Sequence, residues 1–222
     1  MMNVGILGTG NLAVALGLAW AAAGHAVVVT GRNPDRARDA VEQIGSAAQA
    51  VAAGEFARSV DVVVIAVAWE GLDAAVELIA GPQGSLAGMT VVDCTNPVDF
   101  ATGAHKMGPG SAAETVARLA RGAHVVKALH LFAGVSWPYT AAPQAAPVVA
   151  ICGDEPSALE VTAKLIADLG AISAVIGGLA SARQAEETAG FVMRVVAAGF
   201  NPRSAVPDVD PTLLNRVPGK TA

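Results

Sequence analysis

Gly8-Thr9-Gly10-Asn11-Leu12-Ala13 has the form GxGxxA, and it stands where the apolar run Asn3 to Leu7 gives way to helix formers from Asn11 to Ala23. That context gives the glycines a chemical use. The first allows a tight turn, the second lets backbone approach a pyrophosphate with no Cβ in the way, and the small Ala13 lets helix and strand pack closely. The free N–H groups and partial positive charge of a helix N-terminus then face the phosphates. A second strand about 20 residues further on completes the pattern of a dinucleotide site. With no ligand, the same residues are only a tight turn.

The end of that second strand decides which dinucleotide fits. NAD sites place an Asp or Glu there for the ribose 2′-OH, and a carboxylate repels the 2′-phosphate of NADP. This chain reads Thr30-Gly31-Arg32-Asn33, with no acid before Asp35. Arg32 can form charge-assisted bonds to a phosphate while Thr30 and Asn33 add neutral donors, so the expected cofactor is NADP. Arg36, one helical turn on, is a second cation for the same phosphate.

The elements that must position these groups alternate along the chain. Strands are expected at Asn3 to Leu7, Ala26 to Thr30, Ala48 to Val51, Asp61 to Val67, Thr90 to Cys94 and His124 to Leu129, with helices between them. Asn33-Pro34 opens one of those helices as cap and first residue, and Ser111 with Glu114 has the form of a capping box. After His130 a loop rich in aromatics and Pro precedes strands at Pro147 to Cys152 and Ile172 to Ile176 and helices from Glu155 to Leu169 and Leu179 to Phe200. The pattern predicts an α/β fold: a doubly wound (Rossmann) mostly parallel sheet with a small C-terminal α/β extension. Residues 1–130 form the NADP-binding part and 131–222 a smaller, substrate-facing part.

Composition excludes other classes. Of 222 residues, 53% are hydrophobic and only 15% charged, which rules out intrinsic disorder. Fourteen Lys plus Arg against nineteen Asp plus Glu leave a net charge of −5 with no basic run, so nucleic acid is not an expected partner. Cys94 and Cys152 form no CxxC and have no His at ligand spacing; they read as buried small residues, and no metal site is expected. The first charged side chain is Arg32, yet no basic segment precedes Val4 as in a signal peptide, and Gly8 to Asn11 and Gly24-His25 interrupt the run a membrane span needs. The expectation is a cytoplasmic protein without membrane contact.

The stretches GILGTGNLAVALGLAWAAAGHAVVVTGRNPDRA, VIAVAWEGL, VVKALH, VVAICGD and LASARQAEE resemble the NADP oxidoreductase, coenzyme F420-dependent family over nearly the whole chain. The resemblance implies hydride exchange between C4 of the nicotinamide and C5 of the deazaflavin F420. It places Thr9 to Leu12 on the pyrophosphate, Thr30, Arg32 and Asn33 on the 2′-phosphate, and Ala66, Val67, Ala68 and Trp69 on the path to the nicotinamide. Where F420-using relatives carry hydroxyl residues before the late helix, this chain keeps Ser181. Arg183 and Lys127 are the nearest cations for anion contacts by the acceptor.

Hydride transfer between two bound rings needs alignment and exclusion of water, which agrees with the lack of GxSxG, HExxH, P-loop or Cys–His pairs. A proton must still be handled, and His130, at the ligand-facing end of the sixth strand, either does that or is a structural histidine bonded to backbone. Asn96 either hydrogen-bonds the nicotinamide ribose or carboxamide or serves the Asn-Pro turn. Phe132, Trp137 and Tyr139 either wall an acceptor pocket or pack beneath a long loop. The expected partner is a small-molecule redox substrate: F420 or a similar flat conjugated acceptor. A second reading is a noncatalytic NADP-binding sensor or partner-binding protein. A β-hydroxyacid dehydrogenase would need a Lys on the late helix, and Leu179 to Phe200 contains none. Phe191, Val195 and Ala198, at helical spacing, suggest a homodimer or packing onto the chain's own sheet.

Overall fold

The β-branched runs become the strands β1 (Asn3–Leu7), β2 (Ala26–Thr30), β3 (Ala48–Ala50), β4 (Val62–Ile65), β5 (Thr90–Asp93), β6 (His124–Lys127), β7 (Val148–Gly153) and β8 (Ile172–Gly177). All lie in one sheet in the order β3-β2-β1-β4-β5-β6-β7-β8. The structure is a computed structural model that describes residues 1–132 and 146–207. From β3 to β6 all neighbours pair in parallel. β6 meets β7 antiparallel, and β7 and β8 run parallel to each other, so the last two strands are reversed within an otherwise parallel Rossmann sheet.

Seven helices among the described residues cover its two faces: α1 (Asn11–Ala22), α2 (Pro34–Ile44), α3 (Ala53–Phe56), α4 (Leu72–Leu78), α5 (Ala112–Leu119), α6 (Pro156–Asp168) and α7 (Ala182–Ala197). Successive strand residues point to opposite faces. Ile6, Val27 and Val64 therefore enter one core with Leu16 and Trp20 of α1, Ile44 of α2 and Ile166 of α6. Leu7, Val28 and Val63 enter the other with Phe56 of α3, Leu72 of α4 and Val116 of α5. Burial on both sides is why these strands read as continuous apolar runs rather than alternating ones. The Trp20 indole N–H donates to the Leu165 carbonyl at 3.1 Å and so ties α1 to α6.

Two helices are shorter than expected. α4 follows a 3-10 turn over Trp69–Gly71 and ends at Leu78, shortly before Ala80 takes a left-handed φ of 57°. α7 follows a second such turn, Leu179–Ser181, held by the Asp154 carboxylate, which accepts from the Leu179 N–H at 2.8 Å. It stops where Gly199, at φ 86°, lets the Phe200 N–H return to the Val195 carbonyl at 3.1 Å. Ser111 caps α5, its Oγ accepting from the Glu114 N–H at 3.1 Å while its hydroxyl donates to the Glu114 carboxylate at 2.9 Å. No helix among the described residues is long and apolar enough to cross a membrane.

Candidate functional site

The site begins at the turn between β1 and α1. Gly8 has φ 141°, and a Cβ there would lie 2.2 Å from the Ala66 carbonyl oxygen, so only glycine lets β1 pass the end of β4 this closely. Gly10 caps α1 in an extended conformation and is the opposite case: a Cβ on it would meet nothing within 4 Å. The open space at Gly10 is where a pyrophosphate would lie. No side chain caps α1 and no acid occupies its first turn, whose second residue is the predicted contact Leu12 and whose first is the exposed Asn11. Its first N–H groups are left to an anion.

A cavity of about 440 Å³ spans Leu7 to Gly10, Gly31 to Asn33, Arg36 and Ala66 to Ala68. Gly8, Thr9, Gly10, Arg32, Asn33, Ala66, Val67 and Ala68 are thus brought together. The Arg32 and Arg36 guanidiniums have no hydrogen-bond or ion-pair partner among the described residues. The next acid in the sequence, Asp35, is taken by Arg38. Asn33 Oδ1 accepts from the Asp35 and Arg36 N–H groups at 2.9 and 3.3 Å, which caps α2 and leaves its amide nitrogen as the group a ligand could use. Thr30 needs correction: its side chain is 1% exposed and its hydroxyl donates to the Val51 carbonyl at 3.0 Å. It braces β2 and is not a phosphate contact. The uncapped helix end, the gap at Gly10 and the two unpaired guanidiniums fit a dinucleotide carrying an extra phosphate.

A second cavity of about 340 Å³ shares Val67 and Ala68 with the first and continues past Leu12, Trp69, Asn96, Phe100, His130 and Phe132 to Ala189, Val192 and Met193 of α7. The two adjoin at Val67 and Ala68 and lie along the C-terminal ends of β1, β4, β5 and β6, where an open α/β sheet binds ligands. Ser181 stands apart: it lies against Gly177 at the end of β8 and lines neither cavity. Trp137 and Tyr139 lie outside the described residues.

His130 is 7% exposed. Burial, and secondarily the charge of Lys127, lowers its pKa to about 4, so the imidazole is neutral near pH 7. Among the described residues its Nδ1 has no partner, and neither has Asn96 Oδ1. Asn96 Nδ2 donates to the His130 carbonyl at 2.7 Å, linking the loops that follow β5 and β6. Between β6 and His130, Leu129 holds a left-handed φ of 55°, a strained conformation of the kind concentrated at functional sites.

Beneath the second cavity lies a buried ionic cluster that the sequence reading did not find. Lys127 and Glu186 are fully buried; Lys127 Nζ lies 2.9 Å from Asp93 Oδ2 and 3.1 Å from Glu186 Oε1, and it also donates to the Thr95 carbonyl. Asp93 Oδ1 accepts from the Thr95 N–H and hydroxyl at 2.9 and 2.6 Å. Glu186 accepts from the Ala112 and Ala113 N–H groups at the start of α5 and pairs with His105 at 3.2 Å. Burial opposes the charge on Lys127, but Asp93 and Glu186 more than reverse it and raise its pKa. Lys127 is therefore structural and unavailable to an outside anion. Arg183 is likewise occupied, by Glu187 and the Gly108 and Gly110 carbonyls. A signal did exist: Asp93 and Lys127 close two adjacent apolar strands in register.

The two cysteines are buried and free, and burial raises both thiol pKa values, that of Cys152 to about 11. They are inert in this state.

Comparison with known proteins agrees with this geometry. Residues 3–97 match the family described as NADP oxidoreductase, coenzyme F420-dependent. The chain is 33% identical over 185 residues to the metalloreductase STEAP3 of Rattus norvegicus; the match covers 83% of this chain and 36% of that relative's length. Among solved structures it resembles a candidate F420-dependent NADP reductase from Arthrobacter sp. FB24, with a TM-score of 0.77 and 26% identity over 90% of this chain and 96% of the other. A reductive aminase from Aspergillus terreus, solved with NADPH4, cyclohexanone and allyl amine, shares the fold at a TM-score of 0.65 and 23% identity, over 90% of this chain and 63% of the enzyme.

Proposed function

We propose that this chain, whose residues 3–97 match the NADP oxidoreductase, coenzyme F420-dependent family, exchanges a hydride between NADP(H) and coenzyme F420 or a similar flat conjugated acceptor. The observation that carries this reading is that a cavity holding two guanidiniums with no partner among the described residues adjoins, at Val67 and Ala68, a mainly apolar second cavity. Reduced nicotinamide supplies a hydride at C4, and a deazaflavin takes it at C5 together with one proton. The chain's own residues do the rest. Gly8 to Leu12 receive the pyrophosphate, and Arg32, Asn33 and Arg36 receive the 2′-phosphate. Ala66 to Trp69 and Asn96 guide the nicotinamide end, while Leu12, Phe132 and Met193 exclude water from the place of transfer.

In this reading His130 is the catalytic residue: its neutral imidazole would accept the proton that a reduced acceptor loses along with its hydride, and the imidazolium so formed would return that proton in the reverse direction. Residues 1–130 serve the nucleotide and 131–222 face the acceptor. A homodimer fits the groove in which Phe191, Val195 and Ala198 lie open beside Phe200. A cytoplasmic location fits the reading as well.

The test is to mix the protein with NADPH and F420 and follow the absorbance of the oxidised deazaflavin. The expected result is enzyme-dependent loss of that band. Tight NADPH binding without turnover of F420, flavins, carbonyls or imines would overturn the catalytic reading in favour of a sensor.

A further inference from the structure

The turn Trp69–Gly71 stands between the two cavities and touches both. Ala68 and Ala75, on either side of it in the chain, line the first cavity, while Trp69 lines the second. A Cβ on Gly71 would lie 3.6 Å from Arg32 Nη2, so the cation assigned to the 2′-phosphate rests against the turn. Between Trp69 and Gly71, the Glu70 carboxylate accepts from Lys106 Nζ at 2.6 Å. That bond holds the Glu70 carboxyl below, and the Lys106 ammonium above, their ordinary pKa values. Three consecutive residues thus meet the second cavity, the loop after β5 and the nucleotide cavity.

Lys106 closes a hairpin over residues 97–106. Val98 bridges His105, the Asp99 N–H donates to the Ala104 carbonyl at 2.8 Å, and the Lys106 N–H donates to the Pro97 carbonyl at 2.6 Å. The hairpin is set on α7. His105 pairs with Glu186, and the backbones of Gly103 and Gly190 approach so closely that a Cβ on either would overlap the carbonyl oxygen of the other. Its Phe100 is 64% exposed and lines the second cavity together with Trp69. No residue of the hairpin lines the first cavity. An exposed ion pair contributes little stability, so the consequence of Glu70–Lys106 lies in the two walls it connects.

We propose that the Glu70–Lys106 pair couples the two cavities: a nucleotide in the first fixes the Trp69–Gly71 turn, and the pair passes that restraint to the hairpin that walls the second. The proposal rests on the function proposed above and adds cooperativity to it. A ligand in the first cavity packs against Ala68 and Ala75 and holds Arg32 beside Gly71. With the turn fixed, Lys106 and Phe100 lose freedom before an acceptor arrives, and the acceptor then gives up less entropy on binding. Such coupling is reciprocal, so an acceptor tightens the nucleotide by the same factor.

The experiment uses adenosine 2′,5′-bisphosphate, which carries the 2′-phosphate but no nicotinamide and so does not extend into the second cavity. Amide hydrogen exchange of residues 97–106 is measured with and without it in wild type, Glu70→Gln, Lys106→Met and the charge swap Glu70→Lys with Lys106→Glu. In wild type the probe is expected to slow exchange in the hairpin about fivefold. Both single variants should bind the probe with wild-type affinity and show no slowing, and the swap should restore it. A hairpin that the bound probe leaves unchanged, slowing that survives in either single variant, or a swap that binds the probe without restoring the effect overturns the proposal. Glu70 and Lys106 are exposed, so the variants are expected to fold; should one not, the other decides alone.

Bound probe with an unmoved hairpin sinks this proposal and spares the functional one. A wild type that does not bind the probe also overturns it, and titration with NADP⁺ then tells whether the functional reading falls with it. Slowing in a protein that turns over no acceptor supports the coupling and refutes the catalytic reading alone.

Discussion

Lys127→Met is expected to lower the melting temperature by roughly 10 °C, because it leaves the Asp93 and Glu186 carboxylates buried without their cation. Removing one partner of a buried pair costs about 3–5 kcal/mol, most of it the penalty of the stranded charge rather than the worth of the bond. The effect should reach the site as well. Lys127 and Asp93 together bind the N–H, hydroxyl and carbonyl of Thr95, and Thr95 carries Asn96. Adding Glu186→Gln removes one of the stranded charges, so the double variant should be destabilised by less than the sum of the single ones. Thermal unfolding of the three variants checks this. A Lys127→Met protein that melts within a degree or two of wild type would show that the ion pairs of Lys127 with Asp93 and Glu186 do not hold α7 to β5 and β6.

Gly8→Ala and Gly10→Ala should fail in different ways although they lie two residues apart. At Gly8 the new Cβ would overlap the Ala66 carbonyl, and the backbone would keep a φ of 141° that alanine avoids. Steric overlap and backbone strain together cost roughly 3 kcal/mol, enough to part β1 from β4 and abolish nucleotide binding. At Gly10 the Cβ enters open space, so stability should stay within about 0.5 kcal/mol of wild type. Nucleotide affinity should nevertheless fall at least tenfold, because that space is where the pyrophosphate is placed. Unfolding curves and NADPH titration of the two variants separate the cases. Wild-type affinity in Gly10→Ala would remove the pyrophosphate from this turn.

All eight strands were legible in the sequence: β1, β2, β4, β5 and β6 are almost wholly buried and announce themselves as continuous apolar runs, whereas the largely exposed β3 and β8 were legible from the alternation of strand and helix. The reversal of β7 and β8 was not. Strand composition records burial, whereas direction depends on where the chain re-enters the sheet, and nothing local in Val148–Gly153 encodes that. At the site, the glycine turn and Arg32 could be read because their chemistry is local and their spacing fixed. Thr30 was misassigned for the same reason: a hydroxyl at the end of β2 has a phosphate-binding look in one dimension, and only the packing of β3 shows that Val51 takes it. The cluster of Asp93, Lys127 and Glu186 joins three distant elements, so each residue alone looked like an ordinary charge. His130 and Asn96 could be singled out as candidates, but their link could not, since the bond runs from a side chain to a backbone carbonyl 34 positions away.

The account depends above all on Arg32 standing where a carboxylate would select NAD. Titrating the wild-type chain and Arg32→Ala with NADPH and NADH, read by nicotinamide fluorescence, tests it most directly. Charge-assisted bonds of about 1.5–3 kcal/mol predict that wild type binds NADPH tenfold to a hundredfold more tightly than NADH, and that Arg32→Ala brings the two close together. Equal affinity of the wild type for both nucleotides, or binding of neither, would contradict it.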